Sequence, residues 1–154
     1  MNKWFFISGL ATSVSSLLLN AAAYVLVLKD FYRAHPTGSE EFMKQLHRPP
    51  GQLIVWALAV TALAMGFLVT TAMKWSGART LASGLKRGFV FAALFWGAVN
   101  FGLYSSSNMF SSQAVFVDYA CSVTAMTLSG ALAAWLLGLG KKAMMTAAEP
   151  ATAA

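Results

Sequence analysis

The chain has 154 residues, of which 58% are hydrophobic and only 10% are charged, and its formal net charge is +6. Soluble domains carry about 25% charged residues, so the composition excludes an ordinary soluble protein, and the length leaves room for one membrane domain. The positive charge does not indicate nucleic acid, because the basic residues lie at the ends of apolar segments, where they meet the headgroups of membrane lipids.

Four apolar segments without Lys, Arg or Glu follow one another along the chain: 4–28, 53–73, 88–104 and 114–139. Each approaches or exceeds the roughly 20 residues that cross a ~30 Å hydrocarbon core as a helix, and the pattern is not that of a barrel strand. The sequence therefore predicts an all-α membrane protein with four transmembrane helices in an up-down bundle. This domain covers residues 1–142, and we expect residues 143–154 to be a flexible cytoplasmic tail.

The basic residues predict how the helices are oriented in the membrane. The connection between the second and third segments carries no acid and four basic residues: Lys74, Arg79, Lys86 and Arg87. Lysines also lie at both ends of the domain, whereas the connection 105–113 has no charge. The positive-inside rule then predicts that both termini and the second connection are cytoplasmic.

The first connection is long enough to have a structure of its own, and it lies on the opposite, extracytoplasmic side. Ser39 followed by Glu40 and Glu41 is typical of a helix start, and an apolar side follows, formed by Phe42, Met43 and Leu46. We predict a short amphipathic helix at the membrane surface, ended by the Pro-Pro-Gly sequence at 49–51.

The sequence indicates neither a metal site nor a cofactor. His35 and His47 both lie in the first connection at a spacing that matches no ligand motif. A haem-carrying bundle needs histidines within its helices, so we expect no haem. Cys121 is the only cysteine, which excludes an intramolecular disulfide.

Polar residues within the apolar segments are the candidate site, because their placement in lipid costs free energy. On the predicted topology they share the outer half of the bundle: Asn20, Tyr24, Asn100, Tyr104 and Asp118. Each Asn–Tyr pair is four residues apart, so its members share a helix face. Two interpretations stay open: a polar pocket for a small ligand, a lipid headgroup or a proton, or hydrogen bonds that specify helix packing. Asp118 is also placed to cap the fourth helix.

Small residues recur at intervals that suit close helix packing. The candidate packing positions are Gly66, Gly88, Gly130, Ala134 and Gly138. Packing inside one bundle accounts for such faces, and self-association or a partner subunit is the alternative.

Short motifs are spread over most of the chain, among them Lys29-Asp30-Phe31-Tyr32, Gly84-Leu85-Lys86-Arg87-Gly88 and Val117-Asp118. With them the chain resembles a group of small four-helix bacterial inner-membrane proteins with no assigned activity. The resemblance implies a multi-pass protein of the bacterial inner membrane and no catalytic residue. Arg33-Ala34-His35 and Glu41 also resemble the membrane glutathione-transferase group, but the asparagine expected between them is absent.

Three functions follow from these observations, in order of preference. The first is a non-enzymatic structural or accessory subunit that packs against itself, as a homo-oligomer, or against a larger membrane complex. The second is a carrier or receptor for a small molecule or a proton, centred on Asp118. The third is a membrane enzyme acting on a lipophilic substrate, for which the sequence offers no nucleophile–base pair, carboxylate pair or metal cluster.

Overall fold

Four long helices make up the computed structural model, which describes residues 3–39, 41–42, 45 and 48–148. They are α1 (Lys3–Ala34), α2 (Val55–Trp75), α3 (Leu81–Ser106) and α4 (Ser112–Ala148). All four are long and apolar enough to cross a membrane. The predicted all-α architecture with four membrane-length helices is therefore confirmed, and the orientation in the membrane stays a prediction.

α1, α3 and α4 are longer than the corresponding apolar segments, because a charged residue ends a hydrophobic run without ending a helix. α1 continues past Leu28 to Ala34, and α3 begins at Leu81 rather than near Gly88. The start of α3 is fixed by a capping box, in which the Thr80 hydroxyl accepts from the Ser83 N–H at 3.2 Å and the Ser83 hydroxyl accepts from the Thr80 N–H at 3.1 Å.

α4 is the central helix of the bundle and packs against each of the other three. In the apolar part of α4, 56% of the residues are buried, compared with 17% in each of the other helices. The helices are antiparallel in chain order, and Trp4 at the start of α1 contacts Gly140 near the end of α4. We call this end of the bundle, where α1 and α3 begin, the basic end, and the opposite end the junction end.

Small residues allow the helix backbones to approach closely. A Cβ on Gly84 would meet the Ala131 Cα and the Ala134 Cβ at 2.7 Å, and Gly130 faces Gly88 across the same α3–α4 contact. Gly66 packs directly on the backbone of Ser13 in α1. Gly138 packs on the carbonyl of Arg79. All five candidate packing positions therefore lie inside this bundle.

The first connection and the C-terminal segment are described in part. Glu41, Phe42 and Gln45 are helical, and the Phe42 N–H donates to the Ser39 hydroxyl at 3.3 Å, as an N-cap does. The rest of the predicted amphipathic helix lies outside the described residues, namely Glu40, Met43, Lys44, Leu46 and His47. Residues 143–148 continue α4 into the predicted tail, and residues 149–154 are not described.

The Gly66–Ser13 contact predicts that Gly66→Ala destabilises the protein. The new methyl group would overlap backbone atoms of Ser13, which cannot move without separating α1 from α2. We expect the free energy of unfolding to fall by about 1–3 kcal/mol, the usual cost of overpacking, measured by reversible unfolding in mixed micelles.

Gly102→Ala is the matched control. Gly102 also lies in a helix, but a Cβ there meets nothing within 4 Å, so the substitution keeps only the gain in helix propensity of up to ~1 kcal/mol. Equal stabilisation by both substitutions would show that α1 and α2 do not approach closely at Gly66.

Candidate functional site

Three helices meet through one carboxylate at the junction end. The Tyr32 hydroxyl in α1 donates to Asp118 Oδ1 at 2.6 Å, and Asn100 Nδ2 in α3 donates to Asp118 Oδ2 at 2.9 Å. Asn100 is only 2% exposed, whereas Tyr32 and Asp118 are half-buried. We call Tyr32, Asn100 and Asp118 the polar junction. It ties α1 and α3 to opposite oxygens of the same α4 side chain.

The position of the polar junction follows from where its helices begin and end. Asp118 lies in the second turn of α4, and Asn100 lies in the second-last turn of α3. Tyr32 lies in the last turn of α1. The 32 residues of this helix, at a rise of 1.5 Å each, make it longer than the roughly 30 Å thickness of the hydrocarbon core. The site therefore lies near one end of the bundle rather than at its middle.

A π-helical turn at Tyr24–Leu28 interrupts α1 before it reaches the polar junction. The Lys29 N–H donates to the Tyr24 carbonyl, five residues earlier, instead of to the carbonyl four residues earlier. One additional residue in the turn rotates everything that follows by roughly 100° relative to a regular helix. Tyr32 therefore faces α4, whereas in an uninterrupted α1 it would point to a different side of the helix.

Among the described residues, the hydrogen-bond partners of Asp118 are neutral. Its donors are a phenol and an amide, and the one ion pair in the described part of the chain joins Arg33 to Asp30 at 3.7 Å on the exposed end of α1. The described residues contain no group of three or more His, Cys, Asp or Glu side chains able to hold a metal ion. The chemistry available at the polar junction is hydrogen bonding and the uptake of a proton or a small cation.

The structure brings together two of the five residues that the sequence nominated, Asn100 and Asp118. Asn20 instead donates to the Ser16 carbonyl of its own helix at 2.8 Å, and its side chain is exposed. Tyr24 is 50% exposed and Tyr104 is 41% exposed, so both lie on the surface of the bundle. Tyr32 lies beyond the first apolar segment, which ends at Leu28, so sequence reasoning missed its role as a donor to Asp118.

Buried hydroxyl groups form a second polar region where α1 meets α2 and α4. The Ser8 hydroxyl donates to the Ala133 carbonyl of α4 at 3.1 Å. The Thr12 and Thr70 side chains are fully buried, and their hydroxyls have no hydrogen-bond partner among the described residues. The sequence did not nominate Ser8 or Thr70 for any polar role. The signal available was the four-residue spacing of Ser8, Thr12 and Ser16, which puts hydroxyls on one face of α1.

Comparison of the chain with protein-family models, with curated proteins and with solved structures found no match. The helices themselves therefore define its class. Four helices of membrane-spanning length and hydropathy make it a multi-pass membrane protein.

The geometry of the polar junction predicts that Tyr32→Phe weakens the bundle. The substitution keeps the ring and removes only the hydroxyl that donates to Asp118. We expect the free energy of unfolding to fall by about 0.6–1.7 kcal/mol, between the average and the largest contribution of side-chain hydrogen bonds between membrane helices. Reversible unfolding in mixed micelles measures this change.

Tyr24→Phe supplies the control, because it removes the same atom from an exposed tyrosine on the same helix. An equal effect of the two substitutions would show that the Tyr32–Asp118 hydrogen bond contributes nothing to stability.

Proposed function

We propose that this protein is a non-enzymatic accessory subunit of the bacterial inner membrane, with both termini in the cytoplasm, which packs against itself or a larger membrane complex. The observation that supports the proposal is the exposure of α2. Residues 55–65 are all exposed or half-buried, and the buried residues of α2 all lie in its second half: Gly66, Val69, Thr70 and Met73.

The first half of α2 thus has no buried residue, although half-buried Met65 at its end packs against the core. α1 shows the same asymmetry, since residues 17–27 are exposed or half-buried while Ser8, Thr12 and Ser13 are buried. The close α1–α2 contacts that glycines allow, at Gly9 and Gly66, lie in the half of the bundle nearer the basic end. Towards the junction end, the apolar side chains of α1 and α2 are exposed on the surface of the bundle.

The composition of this surface favours a helix over lipid chains as its neighbour. Small residues are frequent on the first half of α2: Ala57, Ala59, Thr61, Ala62 and Ala64. The Thr61 hydroxyl donates a hydrogen bond to the Ala57 carbonyl of its own helix at 2.9 Å. In a bilayer, helices associate where small side chains let backbones approach. We therefore infer that a partner helix packs on the first half of α2.

Photocrosslinking in native membranes tests this interface. A photoreactive residue at Thr61 is expected to capture a second copy of this chain or a defined partner chain, because a helix lies within reach of the probe. The same probe at Leu94, an exposed position of α3, is expected to label lipid. Gel shift and peptide mass spectrometry identify the products.

A bulky substitution strengthens the test. Ala59→Phe is expected to reduce the Thr61 product at least fivefold while leaving the melting temperature within about 2 °C of the parent, since residue 59 is exposed in the free chain. Ala98→Phe on the exposed side of α3 is the matched control. Lipid labelling alone at Thr61, or a product that Ala59→Phe does not reduce, contradicts the proposed interface.

A second function, a proton or cation carrier or receptor, is favoured by one observation. Asp118 is a carboxylate within a helix of membrane-spanning length, and its partners at the polar junction are neutral. Intramembrane carboxylates of this kind mark ion and proton paths.

Asp118→Asn distinguishes this function from a purely structural junction, because it keeps the shape and removes the charge. If the junction is structural, the Asn variant is expected to express and melt much like the parent, with the same response to sodium and to pH. If it is a carrier site, the variant folds but loses a shift in melting temperature that the parent shows on titration with sodium or protons. Asp30→Asn, which alters an exposed ion pair at the same end, controls for general charge effects.

A further inference from the structure

We propose that the turn between α2 and α3 binds the headgroup of an anionic phospholipid through Lys74, Lys86 and Arg87. This inference is independent of the function proposed above, because it concerns the opposite end of the bundle. We call these three residues, together with the exposed Trp75, the basic turn.

The two ends of the bundle differ in charge, because the acidic residues lie at one end while cationic residues lie at both. Six cationic residues whose side chains the structure describes lie at the basic end: Lys3, Lys74, Arg79, Lys86, Arg87 and Lys141. Lys29, Arg33 and Arg48 lie at the junction end or in the connection that follows it. The acidic residues that the structure describes are Asp30, Glu41 and Asp118, and all three belong to the junction end or to the connection that joins α1 and α2 there. The cations of the basic end therefore have no acidic side chain beside them within the described part of the chain.

One cation of this end is used inside the fold. The Arg79 guanidinium donates to the Ala78 carbonyl at 2.6 Å and to the Met73 carbonyl at 3.4 Å, so it neutralises the negative end of α2. The backbone around it is fixed, because Ala78 is fully buried and the Arg79 carbonyl packs on Gly138. Lys74, Lys86 and Arg87 of the basic turn lie on either side of this fixed backbone.

Arg87 and Lys74 are each held in place next to the turn, Arg87 against Gly77 and Lys74 against Phe5. Gly77 has φ +73°, a left-handed conformation that lets the chain reverse at the end of α2. Arg87 Nη1 lies 3.4 Å from the position that a Cβ on Gly77 would take, so the α3 side chain reaches back over the turn. Lys74 Nζ is 5.0 Å from the centre of the Phe5 ring, which holds the ammonium group by a cation–π contact.

The surroundings identify the occupant as a lipid. Trp75 follows Lys74 and is 85% exposed at the end of an apolar helix, which is where tryptophan side chains mark the headgroup level of a bilayer. Lysine and arginine side chains at that level attract anionic headgroups, and a guanidinium binds phosphate in a bidentate manner. The complementary ligand is a phospholipid phosphate with net negative charge.

Lipid titration of the full chain tests the proposal. The purified protein is titrated in detergent with phosphatidylglycerol, with phosphatidylcholine or with inorganic phosphate, and melting temperature and lipids retained in native mass spectrometry are recorded. We expect phosphatidylglycerol to raise the melting temperature and to be retained, and the other two to have little effect. The double substitution Lys86→Gln with Arg87→Gln is expected to weaken phosphatidylglycerol binding at least tenfold.

The matched control is Lys29→Gln with Arg33→Gln, which removes two cations at the other end of α1 and is expected to leave the lipid response unchanged. If the Lys86/Arg87 variant folds poorly, single Arg87→Gln and Arg87→Lys variants replace it, and the loss of binding is expected to be larger for Arg87→Gln than for Arg87→Lys, which keeps the charge. An equal loss in the control, an equal response to phosphatidylcholine, or full mimicry by inorganic phosphate overturns the proposal.

Discussion

Close packing of small residues along α4 is the constraint on which the arrangement of the other helices depends. In a membrane, lipid chains are as apolar as leucine, so helices associate through close contact and hydrogen bonds rather than through hydrophobic burial. α4 meets α3 through Gly130, Ala131 and Ala134, and it meets α1 through the Ala133 carbonyl and Gly140. Because small residues lie on several sides of α4, this one helix is able to contact all three others.

The polar junction holds the bundle where this packing is weaker. Near the basic end, α1 is secured by glycine contacts with α2, but residues 17–27 are largely exposed. Hydrogen bonds to Asp118 return the end of α1 to α4 and bind α3 to the same side chain. A carboxylate suits this role because its two oxygens accept from two helices at once. The fold therefore combines a close-packed half with a half that is joined by hydrogen bonds and is open on the α2 side.

The sequence allowed the helices and part of the polar junction to be predicted. Hydropathy over the four segments predicted their number and approximate position. Similar depth predicted one cluster of Asn20, Tyr24, Asn100, Tyr104 and Asp118, of which only Asn100 and Asp118 meet. Tyr32 was missed because Lys29 ended the apolar run, although a helix tolerates a charged residue near a membrane surface. Neither the π turn nor the exposure of the first half of α2 is visible in hydropathy, because both depend on how helices pack rather than on composition.

The π turn makes α1 sensitive to the deletion of a residue. Its five residues, Tyr24–Leu28, hold one residue more than a regular turn, and most of their side chains are exposed. Loss of a single residue there would restore a continuous α-helix and carry Tyr32 roughly 100° around the axis of α1, away from Asp118. Substitutions at these exposed positions, by contrast, leave the phase unchanged. The segment therefore tolerates changes of residue type but not of length.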